Sequence, residues 1–287
     1  DLPAEGETPQ PTWAGAKGIN KIFMFGTPNG GSAEAFATLL EGFSLTEGLR
    51  RRVSLLNNLT REDALTAPAL FQLLPHGETA RLLDENLQPL ALDLYDPAVW
   101  QRYGWSAVAD PKYRQRLTRD GVGERTDKNP RQSPSLKDLD AYFAEVLGRA
   151  KRFHEALSAA TQVSVPPVAL YAFGGDCEET LAAPVILRDE KRGRWVTLTA
   201  PRSFQSSSGR RVNRRDATRA MYEPGDGRVT RRSLLGESAA DGRRASPFNT
   251  RLPITYAVFA CDLHSDVQKN KILQDNALTL LVSEALK

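Results

Sequence analysis

Cysteine is nearly absent from this chain. Only Cys177 and Cys261 occur in 287 residues, and neither belongs to a CxxC pair. With three scattered histidines they offer no zinc-ligand spacing, and no other spacing implies a metal or an organic cofactor. Two free thiols in or near the core is the default expectation. A disulfide is the alternative, because both cysteines end predicted strands, and it would imply an oxidising compartment. No run of about 18 apolar residues occurs, so no membrane-spanning helix is indicated. Residues 1–13 contain neither an initiator Met nor a signal peptide. This polar, Pro-rich opening reads as a surface loop, and further sequence is expected upstream, which leaves the compartment open. What is present suits a globular body: 40% hydrophobic residues, 25% charged residues, a net charge of +3 and a mean hydropathy of −0.42. That allows one large domain or two small ones.

Three apolar runs punctuate the chain. Residues 20–25 break at a Gly-rich turn, residues 164–174 end in Gly, and residues 253–261 end just before Asp262-Leu263-His264. Continuous apolar runs of this kind predict strands buried on both faces, as in a parallel sheet covered by helices. Between the first two lie about 130 residues of helical texture. The clearest helix is 136–160, where Leu136, Leu139, Phe143, Val146, Leu147, Ala150, Phe153 and Leu157 form one apolar stripe. A last helix is predicted over 273–286, with Leu273, Ala277, Leu278, Leu281 and Ala285 on one face. Residues 193–199 read as a strand of a hairpin.

Residues 201–250 hold eleven Arg, no Lys and five acids. A solvated loop is the bland account of that surplus. The functional one is a patch for an anionic headgroup, since the guanidinium fork binds phosphate in bidentate fashion. Few aromatics accompany the arginines, which argues against nucleic acid.

Gly26-Thr27-Pro28-Asn29-Gly30-Gly31-Ser32 has the glycine spacing of a phosphate loop. Ser32 stands where such a loop needs Lys, so nucleotide binding is rejected. A different chemistry is offered by Asp226, between two glycines, and His264, 38 residues later and just after a buried strand. Acid then histidine is the order of the last two members of an α/β-hydrolase triad. There the imidazole takes the nucleophile's proton, and the carboxylate fixes its tautomer and stabilises the imidazolium.

Taken in order, these segments resemble the lecithin:cholesterol acyltransferase-like lipase family. Residues 26–32 look like its GTPxGGS segment, and Leu73-Leu74-Pro75, with Phe71 before it, is similar to its LLP element. Residues 168–174 resemble its strand before the acid. Gly225-Asp226-Gly227-Arg228-Val229 resembles its GDGTV box, with Ser233-Leu234 following, and His264-Ser265-Asp266 its HxD element. Arg228 departs from the pattern, which often has Thr there. The larger departure is the nucleophile: no GxSxG elbow occurs in the chain.

The resemblance implies an α/β fold, the C-terminal part of a mostly parallel α/β-hydrolase sheet with a helical cap or lid insertion. Residues 1–32 would be partial core, 33–160 the cap, and 161–287 core with the acid and histidine loops. Asp226 and His264 would be the triad acid and base, and the serine would lie upstream. Leu70, Phe71, Leu73 and Leu74 would line an acyl pocket. The implied activity is hydrolysis of a lipid or other acyl ester, or O-acyl transfer from it, and these residues alone would be inactive. The competing expectation is a non-catalytic binding or regulatory module on the same scaffold.

Overall fold

In a computed structural model the protein is mixed α/β. The description covers residues 3–4, 6–10, 13–44, 58–120, 135–159, 168–236 and 252–283.

The first apolar run forms β1 (Lys21–Phe25), and α1 (Ala33–Glu41) follows the Gly-rich turn. Ser32 caps α1, accepting from the Glu34 amide through its side chain. A short ribbon pairs β2 (Phe43–Ser44) with β3 (Asn58–Leu59). The helices α2 (Arg61–Leu65) and α3 (Pro68–Gln72) come next, with Pro at the start of α3, where an amide would go unpaired anyway. Strands β4 (Leu82–Leu83) and β5 (Pro89–Leu90) precede α4 (Pro97–Tyr103), α5 (Pro111–Asp120) and the long α6 (Leu136–Ser158). A reciprocal Ser135–Asp138 capping box starts α6.

The second apolar run is β6 (Ala169–Gly175). It is followed by β7 (Glu178–Leu181), the hairpin β8 (Val185–Asp189) and β9 (Arg194–Leu198), and the short ribbon β10 (Phe204–Gln205) and β11 (Arg211–Val212). Helix α7 (Arg214–Met221), β12 (Tyr222–Gly225) and α8 (Arg231–Leu235) lead to the third run, β13 (Ile254–Ala260), and to α9 (Lys271–Val282).

The three runs meet in one parallel sheet, ordered β1-β6-β13. Phe25 pairs with Phe173, and Phe173 with Val258. Alternation along β6 sorts its side chains. Tyr171 and Phe173 pack with Leu273 and Val267 on one face, while Ala172 packs with Val229, Leu234 and Ile254 on the other. Of this sheet's strands only β6 is flanked on both edges among the described residues. Among the described residues β1 and β13 each pair on one side only, and Ile22 and Tyr256 are 39% and 50% exposed.

The helices between the first two runs share an aromatic core. Phe36, Trp100, Trp105 and Phe143 meet edge to face at centroid distances of 4.8–5.6 Å. Such pairs add to plain burial. Segment 33–160 is also tied to segment 161–287 by hydrogen bonding, since β4 pairs with β8 in the four-stranded sheet β5-β4-β8-β9. No described helix is long and apolar enough to cross a membrane.

Two expectations are corrected. Cys177 and Cys261 are not free buried thiols. They are bonded to each other, with Cα atoms 5.2 Å apart, and both are exposed. They end adjacent parallel strands, so the topology brings them together. On α9 the packed stripe is Leu273, Ala277 and Leu280, while Leu278 and Leu281 are 59% and 60% exposed. Steps of four and three residues from Leu273 reach Ala277 and Leu280, and Leu281 lies past that seam. Ala285 falls outside the described residues, as does the part of the second run before residue 168.

Candidate active site

All three sheet strands end on the same side, where open α/β sheets hold their sites. Gly26 follows β1, Cys177 follows β6, and Cys261 with His264 follows β13. Asp226 does not follow a strand of this sheet. It follows β12, whose partner is β7, and that antiparallel ribbon carries the chain back to the end of β6. Gly175 makes the return possible. A Cβ there would lie 2.5 Å from the Asp262 carbonyl oxygen and 2.8 Å from Asp226 Cβ.

The acid loop is built from its own backbone. Asp226 Oδ1 accepts the amides of Arg228 at 3.0 Å and Val229 at 2.7 Å. The Gly227 amide donates to Thr180 Oγ1 at 2.8 Å, with Gly227 at φ +87. Thr230 then caps α8, accepting the Ser233 amide at 3.1 Å. The Asp226 side chain is 2% exposed, so one oxygen is fixed and the other is left for a partner.

That partner is His264. Its Nδ1 lies 2.9 Å from Asp226 Oδ2, and its amide donates to the Asp226 carbonyl at 2.8 Å. Two bonds in two directions set both the position and the ring orientation of the histidine. With Nδ1 donating to a carboxylate, Nε2 is the ring's basic nitrogen. The side chain is 36% exposed, so it is reachable. Gly26, at φ +57, packs beneath the pair. A Cβ there would sit 3.0 Å from His264 Nδ1 and Cε1 and 3.1 Å from Asp226 Oδ2.

The Gly-rich turn fastens this corner to the helical part. Asn29 Nδ2 donates to the Leu234 carbonyl at 2.6 Å, the Ser32 amide to the Leu73 carbonyl at 2.8 Å, and Ser32 Oγ to the Arg228 carbonyl at 2.7 Å. No protein-family model matches this chain, and no curated protein matches it.

A groove of about 480 Å³ opens beside His264. That is the size of a small-molecule site. Leu70 and Leu73 line it with Phe43 and Leu59. Phe71 and Leu74 do not: both are 0% exposed and belong to the helical core, where Phe71 meets Phe143 at 5.8 Å. Successive residues of a helix point about 100° apart. Leu70 can therefore face the groove while Phe71 faces inward.

Sequence reasoning missed Glu34, Phe43 and Leu59 in the groove wall. Burial raises the Glu34 carboxyl above its ordinary value, against the pull of Arg228 and with a smaller push from Glu41. Its signal was its place in the first turn after the Ser32 cap. The Arg-rich stretch is described only to residue 236. Within that part Arg231 pairs with Asp176 and Arg232 with Glu223. Arg228 turns instead to the groove.

Proposed function

We propose that this chain supplies the acid and the base of a Ser–His–Asp acyl-ester enzyme of the α/β-hydrolase type. It would act on a lipid or other acyl ester as a hydrolase or an O-acyltransferase. The observation that carries the reading is the 2.9 Å bond from His264 Nδ1 to a buried carboxylate whose other oxygen is held by two amides. The apolar groove beside the imidazole supports an acyl substrate.

In this reading a serine attacks the ester carbonyl while His264 Nε2 takes its proton, and Asp226 stabilises the imidazolium. His264 returns the proton to the leaving alcohol as the acyl-enzyme forms. Water as second acceptor gives hydrolysis, and an alcohol gives acyl transfer. The serine is contributed from outside these residues, on a parallel strand added to the edge of β1. Such a strand would end beside Gly26, against which His264 packs. Residues 1–32 and 161–287 then form the core, and 33–160 the cap over the groove.

The absence of a GxSxG elbow favours one second reading, a module that binds an acyl ligand without turnover. The test is to express the chain together with the coding sequence that precedes it and to react the product with a fluorophosphonate. A labelled serine, with labelling lost in His264→Ala, is the expected result. No labelling, or labelling indifferent to His264, leaves the binding module.

A further inference from the structure

Arg228 lies at the edge of the groove beside the acid–histidine pair. Its main chain is committed on both sides, the amide to Asp226 Oδ1 and the carbonyl to Ser32 Oγ. Its side chain is exposed, with the guanidinium over the Phe43 ring at 4.6 Å from the centroid. Stacking on an aromatic face holds a guanidinium in place and leaves its N–H edge free to donate. The nearby Arg231 and Arg232 have carboxylate partners, Asp176 and Glu223. Among the described residues Arg228 has none at ion-pair distance. The acid that lines the groove with it is Glu34, and burial works against its ionised form. The apolar side chains Phe43, Leu59, Leu70 and Leu73 line the same groove.

We propose that the groove binds an anionic amphiphile, its apolar chain along Leu59, Leu70 and Leu73 and its carboxylate or phosphate head on the Arg228 guanidinium. This rests on the acyl-ester reading only where the ligand is called a substrate. There, Arg228 selects esters that carry an acidic group close to the scissile bond over neutral esters. Glu34 limits the same selectivity to the extent that it is ionised, because its carboxylate then repels the head.

Binding can be measured on this chain without any nucleophile, by calorimetry with octyl phosphate, octanoate, octanol and inorganic phosphate. Octyl phosphate should bind at least about tenfold more tightly than octanol, the scale of one charge-assisted hydrogen bond. Octanoate in place of octyl phosphate would assign the head as carboxylate, still on Arg228. In Arg228→Gln the preference for the anion should vanish while octanol affinity holds, which also shows the groove intact. Arg228→Lys should keep part of the preference, and Glu34→Gln should raise it. Equal affinity for octanol and both anions, or a preference that survives Arg228→Gln, overturns the proposal. So does inorganic phosphate binding as tightly as octyl phosphate, since the chain would then contribute nothing. Loss of the preference leaves the acid–histidine reading standing, and failed serine labelling with the preference intact overturns that reading alone.

Discussion

Replacing Cys177 and Cys261 with Ser removes the covalent tie between the ends of β6 and β13. The two cysteines are 84 residues apart in sequence. In the chain-entropy account, cross-linking a loop of that length removes about 4.5 kcal/mol of conformational freedom from the unfolded state. Nothing else in the double variant changes greatly, because both side chains are exposed and leave little cavity. The loss should therefore appear in equilibrium urea unfolding. With a slope of about 2–3 kcal/mol per M, the midpoint should fall by about 1.5–2.3 M. Reduction of the wild-type protein should reproduce the shift, and the reduced double variant should show none. The His264 amide bond to the Asp226 carbonyl does not pass through the disulfide. The pair should thus survive in the folded variant, seen as an unchanged Nδ1 proton resonance. A midpoint unchanged on removing the bond, or two titratable thiols in the oxidised native protein, would refute the reasoning.

Other consequences follow from single side chains. His154 stacks on His76 at 3.8 Å between centroids and bonds the Gln72 carbonyl at 2.7 Å. Burial, with His76 adding to it, holds its imidazole down at about 4, below the ordinary 6.5. As pH falls, the unfolded chain takes up this proton first. The stabilising contribution is full above about pH 6.5 and is lost on descending to pH 4, at up to about 3 kcal/mol. His154→Gln should flatten the stability–pH profile across that window. Phe71→Ala should cost about 3–5 kcal/mol in denaturant titration, whereas Leu70→Ala should cost less and weaken octyl phosphate binding. Gly26→Ala should displace His264 from Asp226, by steric contact and by strain at positive φ, and abolish the Nδ1 proton resonance while the far-ultraviolet circular dichroism stays unchanged.

Much of the frame is legible from periodicity. The three apolar runs are the three sheet strands, but the expected burial on both faces holds only for β6, while β1 and β13 lie at its two sides and stay partly exposed. Residues 136–158 announce α6 through their stripe, although His154 inside it could not be read as a buried, stacked imidazole. Asp226 and His264 stood out by order and spacing, yet no local signal shows that the β7–β12 ribbon carries the acid back to the sheet end. The groove was half legible. Leu70 and Leu73 reach it, but Phe71 and Leu74 look the same in sequence and turn the other way. Apolar identity does not encode direction within one helical turn. Glu34 was hidden more deeply, and Arg228 stood out only as a departure from the family pattern, since neither is placed at the groove until the Gly-rich turn and the acid loop close on one another. The cysteine pair was left open for a like reason: strand adjacency, not spacing, decides it.

In the proposed triad Asp226 works through His264. The direct measurement is the rate of fluorophosphonate labelling of the serine that this proposal requires, in protein expressed with its upstream coding sequence, for wild type, Asp226→Asn and Arg228→Gln. Asp226→Asn keeps the shape but cannot hold the required imidazole tautomer, and labelling should fall by about 10⁴. Arg228→Gln lies outside the proton path and should stay within about tenfold, the scale of one charge-assisted hydrogen bond. Equal labelling of wild type and Asp226→Asn would contradict the claim.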